Sequence, residues 1–163
     1  MGLDVTAFEK VVYVGDFDAD NPGDTVRLYS SPDFPKQADG MKSGAYTVNG
    51  GEYDRVSMGY GTYNRWRNEL AKLAGYLPVR SRYTPEPSHA AGAWATDHGP
   101  FWELINFSDC EGLIGAATAK KLADDFAKYD EAAIKLGGYF YEKYAEFASC
   151  FKLASNGGAV KFH

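Results

Sequence analysis

The chain has 163 residues, of which 45% are hydrophobic and 15% aromatic, and its formal net charge is -5. This length and apolar content predict one globular domain with a buried core and argue against a disordered chain. The acidic balance, with no run of lysine or arginine, argues against binding to duplex nucleic acid, because phosphate binding requires a basic face.

The sequence shows no signal for export or membrane insertion. Residues 1–6 lack a charged segment followed by an apolar one, and the longest apolar runs fall short of the about 18 residues that a membrane span requires. Two cysteines, Cys110 and Cys150, do not suggest a disulfide framework in a chain with a sizeable core, so we interpret them as reduced thiols. These observations predict a soluble cytoplasmic protein with no membrane partner.

The first 60 residues predict β structure. β-branched and aromatic residues are concentrated in four short runs, at 8–14, 25–29, 46–48 and 52–58. The last two runs flank Asn49-Gly50, and this dipeptide between strand-like runs is the strongest short-range signal for a β-hairpin. We therefore expect an N-terminal antiparallel sheet that contains this hairpin.

An acidic segment at 16–24 separates the first two runs. Asp18 and Asp20 give it some likeness to a calcium-binding loop. Pro22 interrupts the ligand spacing, however, and no glutamate stands at the terminal ligand position. We interpret the segment as a solvated turn.

Three later segments have the three-to-four-residue apolar spacing of amphipathic helices, at 62–75, 116–136 and 140–151. Thr62 is a candidate N-cap of the first helix, and Gly75 is positioned to end it. Gly137-Gly138 separates the other two, which predicts an antiparallel helical hairpin. Strands followed by helices predict an α+β fold, with an N-terminal antiparallel sheet packed against a central helix and a C-terminal helical hairpin. We expect the tail at 159–163 to rejoin the sheet.

Residues 76–99 have no clear period and contain three prolines. Long irregular connections are uncommon in compact domains and often form binding loops or lids. We therefore treat this segment as a candidate binding loop. The alternative is a surface excursion that Tyr83 and Trp94 hold against the body of the protein.

The segment 99–112 sets a bulky apolar cluster against several carboxylates, a mixture that packing alone rarely requires. Pro100 suits the first turn of a short helix, and Phe101 and Trp102 are then expected to anchor the segment in the core. We expect the carboxylates of the segment to face a cavity or to form caps.

Asp97, His98, Asp109 and Glu111 are of residue types that bind metals or transfer protons, so they form one candidate centre. No His-x-x-x-His, His-x-Glu or paired-cysteine spacing supports a metal, and Ser108 with Glu111 also fits a capping box. We therefore expect no metal and no cofactor. Whether the four residues form a site stays open at this point.

Arginines and aromatic residues are interspersed through the middle of the chain. Aromatic rings stack on bases and guanidinium groups bind phosphate oxygens in pairs, so this mixture predicts a ligand with flat rings and phosphates. Arg80 and Arg82 are the first candidates for phosphate contacts, because alternate arginines in a loop have no role in a core. The residues expected to contact the ligand are Tyr60, Arg65, Arg80, Arg82, Tyr83, His89, Trp94, Asp97, His98, Asp109 and Glu111.

Four parts of the chain carry a resemblance: GLDVT at 2–6, YGTYNRWR at 60–67, the segment 99–112, and GGAVKFH at 157–163. Together they resemble a family of small hypothetical proteins from phage and bacterial genomes, over nearly the whole chain. The resemblance implies a phage or prophage setting inside a bacterial host cell, and it implies no site residue. Small phage proteins without enzymatic motifs often act on host immunity, by blocking a defence protein or by capturing a nucleotide signal.

We therefore expect a ligand-binding protein that sequesters a nucleotide-derived immune signal, rather than an enzyme. Two alternatives stay open: a small hydrolase with an acid/base or metal centre, and an inhibitor that binds a host defence protein. Homo-oligomerisation stays open as well. Turnover distinguishes the first two functions, because a capturing protein returns its ligand intact and a hydrolase returns products.

Overall fold

The computed structural model describes residues 2–50 and 55–163, which fold into an α+β structure, as the order of strands and helices predicted. The elements in chain order are β1 (Gly2–Phe8), β2 (Val11–Gly15), β3 (Thr25–Leu28), β4 (Gly44–Val48), β5 (Arg55–Gly59), α1 (Tyr60–Leu73), β6 (Val79–Ser81), β7 (Thr84–Ser88), α2 (His89–Trp94), α3 (Trp102–Ile105), β8 (Gly112–Gly115), α4 (Ala116–Leu136), α5 (Gly138–Ala154) and β9 (Ala159–Phe162).

The main sheet has four antiparallel strands in the order β5-β1-β9-β8. Strand β1 alternates in the period of two typical of a strand with one covered face, and Leu3, Val5 and Ala7 are fully buried. The tail rejoins the sheet as predicted, with β9 inserted between β1 and β8. The sheet therefore combines strands from both ends of the chain.

The predicted hairpin at Asn49-Gly50 is wrong. Strand β4 pairs with β2 and β3 in a separate three-stranded sheet, while β5 pairs with β1 in the main sheet. Residues 51–54, which the prediction also included, lie outside the described residues. Burial explains the pairing: Tyr46 of β4 packs in a small cluster with Phe8, whereas Met58 of β5 packs in the main core.

The acidic segment at 16–24 is an exposed turn, as predicted. Asp18 Oδ1 accepts hydrogen bonds from the backbone N–H groups of Asp20 at 2.9 Å and Asn21 at 3.3 Å. A carboxylate that receives the N–H groups of the residues two and three positions on closes a local turn. The segment connects β2 to β3 at the surface.

Helices α1, α4 and α5 supply most of the core on one side of the main sheet. The helical hairpin of α4 and α5 is confirmed, since the rings of Phe126 and Tyr144 meet edge to face at 4.7 Å. Gly137 and Gly138 make the turn with φ values of 60° and 57°, which glycine adopts without strain. Within the described ranges, no helix combines the length and the apolar character that crossing a membrane requires.

Helix α1 begins three residues earlier than the predicted N-cap at Thr62 implied. Gly59 is its N-cap residue and makes no side-chain cap, so Thr62 lies in the first turn instead. Gly75, with a φ of 89°, follows the C-terminus as expected. The helix buries Trp66 and Leu70 in the core and leaves its polar face free.

A distant loop caps the N-terminus of α4. Asp39 Oδ2 accepts a hydrogen bond from the Thr118 backbone N–H, and Asp39 Oδ1 accepts one from the Thr118 hydroxyl, both at 2.8 Å. Such a carboxylate also interacts favourably with the positive end of the helix dipole. Ser108 therefore does not cap α4; its Oγ accepts hydrogen bonds from the N–H groups of Cys110 and Glu111 in a turn before β8.

The segment 99–112 is anchored by Phe101 but not by Trp102. Phe101 is fully buried, as predicted, together with Leu104 and Ile105 of α3. Trp102 is only half-buried, and its indole N–H donates to the carbonyl of Thr96 at 3.0 Å. The left-handed backbone of Phe101, with φ 57°, precedes the helix and lets its ring, rather than that of Trp102, enter the core.

Residues 76–99 are not the irregular loop that the sequence suggested. They contain the β6–β7 hairpin and helix α2. Pro85 and Pro87 occur within β7 because both strands of a two-stranded hairpin are edge strands, where a missing N–H breaks no central ladder. Asn68 of α1 fixes the start of α2, since its Oδ1 accepts hydrogen bonds from the N–H groups of His89 and Ala90.

Candidate functional site

A large cavity lies between helix α1, the β6–β7 hairpin, α2 and the start of α5. Its volume is about 1010 Å³, at the upper end of the range for small-molecule sites. Its walls are formed by Thr62, Asn64, Arg65, Trp66, Arg67, Asn68, Glu69, Tyr83, Thr84, Ser88, Ala90, Trp94, Asp109, Tyr139 and Phe140.

The exposed face of α1 contributes two opposite charges to this cavity. Arg65 and Glu69 are four residues apart, a spacing at which helical side chains can form an ion pair. They do not pair: the Arg65 guanidinium donates to Thr62 Oγ1 at 3.3 Å, and Glu69 has no hydrogen bond or ion pair with the described residues. Both charged groups are therefore available to a ligand.

Arg67 places a buried cation in the wall of the cavity. It is 7% exposed, and its guanidinium donates to the carbonyls of Phe107, at 2.6 Å, and Ile105, at 3.4 Å. It also donates to Asn64 Oδ1. No carboxylate lies within 4 Å of it in the part of the chain that the structure describes, so neutral acceptors alone hold this charge.

Asn64 connects this cation to Asp109. Its Nδ2 donates to Asp109 Oδ2 at 3.1 Å, while its Oδ1 accepts from Arg67. The Arg67 guanidinium also lies over the ring of Tyr63, 4.6 Å from the ring centre. Burial, with a further contribution from Asp109, raises the pKa of Tyr63 to about 12 against the opposing effect of Arg67, so this phenol stays neutral near pH 7.

Tyr83 and Trp94 form one aromatic wall of the cavity. Their rings meet edge to face, with centres 6.4 Å apart. The Trp94 indole N–H donates to the carbonyl of Ile105 at 3.3 Å, and the Arg82 guanidinium lies 4.7 Å from the centre of the Tyr83 ring. These contacts favour the observed orientation of both rings in the absence of a ligand.

A second aromatic wall comes from the start of α5. Phe140 stacks on Trp66 of α1 with ring centres 6.0 Å apart, and the Trp66 indole N–H donates to the Phe140 carbonyl at 3.2 Å. Tyr139 lines the cavity beside them. Lys143 Nζ lies 5.6 Å from the centre of the Tyr139 ring.

The structure brings four of the predicted contact residues into this cavity: Arg65, Tyr83, Trp94 and Asp109. Arg82 lies next to it through its contact with Tyr83. The other six predicted residues, Tyr60, Arg80, His89, Asp97, His98 and Glu111, are not part of its lining.

These six residues occupy other parts of the structure. Tyr60 packs against the main core, and Arg80 and Glu111 are exposed. The His89 imidazole Nδ1 lies 2.6 Å from the Tyr76 carbonyl oxygen, a contact that supports the start of α2. Of these four residues, Arg80 and Glu111 lie at the surface, and the alternation of β6 directs Arg80 outward.

Asp97 and His98 form an exposed pair. The two side chains are 85% and 91% exposed, and His98 Nδ1 lies 2.5 Å from Asp97 Oδ1. The hydrogen bond from His98 lowers the pKa of the Asp97 carboxyl. Across residues 2–50 and 55–163, no three His, Cys, Asp or Glu side chains lie close enough together to hold a metal ion. The candidate centre with Asp109 and Glu111 is therefore not assembled.

Sequence reasoning missed several residues of the cavity, namely Asn64, Asn68, Glu69, Tyr139 and Phe140. Asn64 and Asn68 could have been found from the sequence, because they are four residues apart on the polar side of a predicted helix and therefore share a face. Tyr139 and Phe140 had none, since their helix reaches the cavity only through the tertiary packing of α5.

Comparison with known proteins yields no relative for this chain: no protein-family model, no curated protein and no solved structure matches it. What the cavity binds must therefore be inferred from its own side chains.

Proposed function

We propose that the protein binds a nucleotide in the cavity between α1, the β6–β7 hairpin and α5, and releases it unchanged. One observation carries this proposal: the cavity combines exposed aromatic rings with a guanidinium group that has no carboxylate partner. Rings stack on a base, and a guanidinium binds phosphate oxygens through paired hydrogen bonds. Trp94 is the proposed base contact, and Arg65 is the proposed phosphate contact.

The local charge of the cavity is less acidic than that of the chain as a whole. Two arginines and two carboxylates line the cavity, so its formal charge is balanced. One of the cations, Arg67, is buried without a directly bound carboxylate. Binding of an anion nearby compensates such a buried charge, which supports a phosphate-bearing ligand.

Polar groups in the same cavity suit the base and sugar of a nucleotide. Asp109 Oδ2 is bonded to Asn64, while Asp109 Oδ1 has no partner among the described residues. The Nδ2 group of Asn68 likewise makes no hydrogen bond there, because only its Oδ1 is used at the start of α2. One acceptor and one donor are thus available for hydroxyl groups or the edge of a base.

The biological role that we propose is capture of a nucleotide-derived immune signal of a bacterial host. The phage setting implied by the sequence resemblance supports this role, and so does a preformed cavity that needs no catalytic group. Binding is proposed rather than turnover because Asp97 and His98, the main acid/base candidates, lie at an exposed site outside the cavity.

Calorimetric titration with AMP, ADP-ribose and cyclic di-AMP tests the proposal. At least one of these ligands is expected to bind, and Arg65→Ala is expected to weaken its binding by about one to two decades, or roughly 1.5 to 3 kcal/mol, through loss of a charge-assisted contact. Arg80→Ala is the matched control, because it removes an exposed arginine that does not line the cavity.

Two results would contradict the proposal. One is that no nucleotide binds with a Kd below about 10 μM. The other is that Arg65→Ala binds as tightly as the parent and the Arg80→Ala control. Heating the complex and recovering the ligand distinguishes capture from hydrolysis, since intact ligand supports capture and products support the hydrolase alternative.

A further inference from the structure

Exposed aromatic side chains are concentrated at this one cavity. In the described part of the chain, the exposed large aromatic residues are Tyr13, Tyr83, Trp94 and Tyr139, and the last three line the cavity with exposed fractions of 69%, 37% and 48%. Aromatic rings left accessible to solvent in one concave site are typical of recognition surfaces. More than one ring of the ligand can therefore be accommodated.

The exposed rings belong to two separate walls. Tyr83 and Trp94 contact one another, and Phe140 beside Tyr139 contacts Trp66, but no ring contact joins the first pair to the second among the described residues. The Arg82 guanidinium lies over the Tyr83 ring, whereas Lys143, near the Tyr139 ring, is already ion-paired with Glu146 at 2.8 Å. The cavity thus offers two stacking positions on different elements of the fold.

The exposed face of helix α1 supplies two charged groups to the same cavity, Arg65 and Glu69, and the first is the candidate phosphate contact. Arg65 has no carboxylate partner there, and its planar group can hold two oxygens of one phosphate. A cavity of about 1010 Å³ also has more room than one base and its sugar fill, since it lies at the upper limit for small-molecule sites.

We infer that the ligand is a dinucleotide, with one base on each aromatic wall and the connecting phosphates at Arg65. This inference rests on the proposed nucleotide-binding function and specifies the class of nucleotide. Mononucleotides occupy one wall and leave the other empty. Cyclic and linear dinucleotides share the required chemistry, two flat rings joined by an anionic bridge.

The test compares cyclic di-AMP with AMP by calorimetry on the full chain. Cyclic di-AMP is expected to bind at least about tenfold more tightly than AMP, because a second base–aromatic stack forms. Trp94→Ala and Tyr139→Ala are each expected to weaken cyclic di-AMP binding by about 5- to 100-fold. AMP, with a single base, is expected to lose affinity in only one of these two variants.

Two further variants separate loss of a stack from loss of folding. Tyr139→Phe keeps the ring and is expected to retain parental affinity for cyclic di-AMP. Tyr13→Ala is the control for loss of an exposed tyrosine, because Tyr13 is far from both walls in sequence and absent from the cavity lining. AMP binding as tightly as cyclic di-AMP, or a Tyr139→Ala variant with parental affinity, would overturn the dinucleotide inference and leave nucleotide binding standing. If neither compound nor ADP-ribose binds, the proposed function itself fails.

Discussion

Replacing Phe101 by alanine is expected to lower the free energy of unfolding by about 3 to 5 kcal/mol. The ring is fully buried, and it contacts the rings of Phe126, Tyr129 and Tyr144 at centre distances of 4.9, 5.4 and 6.2 Å. Its removal leaves a cavity where α3, α4 and α5 meet. Urea denaturation followed by circular dichroism measures the loss.

Two companion variants define the cause of that loss. Trp102→Ala removes a larger but only half-buried ring, so we expect a smaller effect than at Phe101. Phe101→Gly removes the same ring, and glycine adopts the positive φ of 57° without strain. Glycine ordinarily lowers stability more than alanine does, but here we expect Phe101→Gly to be about as stable as Phe101→Ala. A Phe101→Ala variant that unfolds at the parental urea concentration would contradict the assignment of this ring to the core.

Replacing Arg67 by methionine is expected to cost about 3 kcal/mol of stability. The substitution keeps much of the side-chain volume but leaves the carbonyls of Ile105 and Phe107 and the amide of Asn64 without their donor. Ile105 ends α3 and Phe107 lies in the connection from α3 to β8, so the change also loosens one wall of the cavity. Urea denaturation measures the effect.

Arg67→Lys tests whether geometry or charge is responsible. A lysine keeps the positive charge but cannot reproduce the planar fork that reaches two carbonyls and an amide together. We expect it to recover only part of the lost stability. Full recovery by lysine would show that charge alone matters, and parental stability of Arg67→Met would show that the three hydrogen bonds contribute nothing.

The helical part of the fold could be predicted because its information is local. The predicted bounds of α4 agree with the structure, and Gly137-Gly138 correctly marked the turn to α5. The strand pairing could not be predicted in the same way. Asn49-Gly50 is a strong local signal, yet the partners of β4 and β5 lie elsewhere in the chain and are selected by burial of Tyr46 and Met58.

The sequence predicted the chemistry of the candidate site better than its position. Aromatic rings with arginines do line one cavity, and Arg65, Tyr83 and Trp94 had been selected from the sequence. Arg80 was favoured over Arg65 because residues 76–99 appeared irregular, whereas the hairpin that forms there leaves Arg80 on an exposed strand. The second aromatic wall depends on the packing of α5 near α1, about 70 residues apart in the chain.

The three tryptophans allow the most direct test of nucleotide binding at this cavity. Trp66 and Trp94 line it, whereas Trp102 does not and is held by the Thr96 carbonyl. In a ¹H–¹⁵N spectrum each indole gives one Nε1–H signal, so a titration with cyclic di-AMP reports on both locations at once. We predict that the Trp94 and Trp66 signals shift with increasing ligand while the Trp102 signal stays in place. A shift of Trp102 alone, or no shift of any indole signal with AMP, ADP-ribose or cyclic di-AMP in large excess, would contradict nucleotide binding in this cavity.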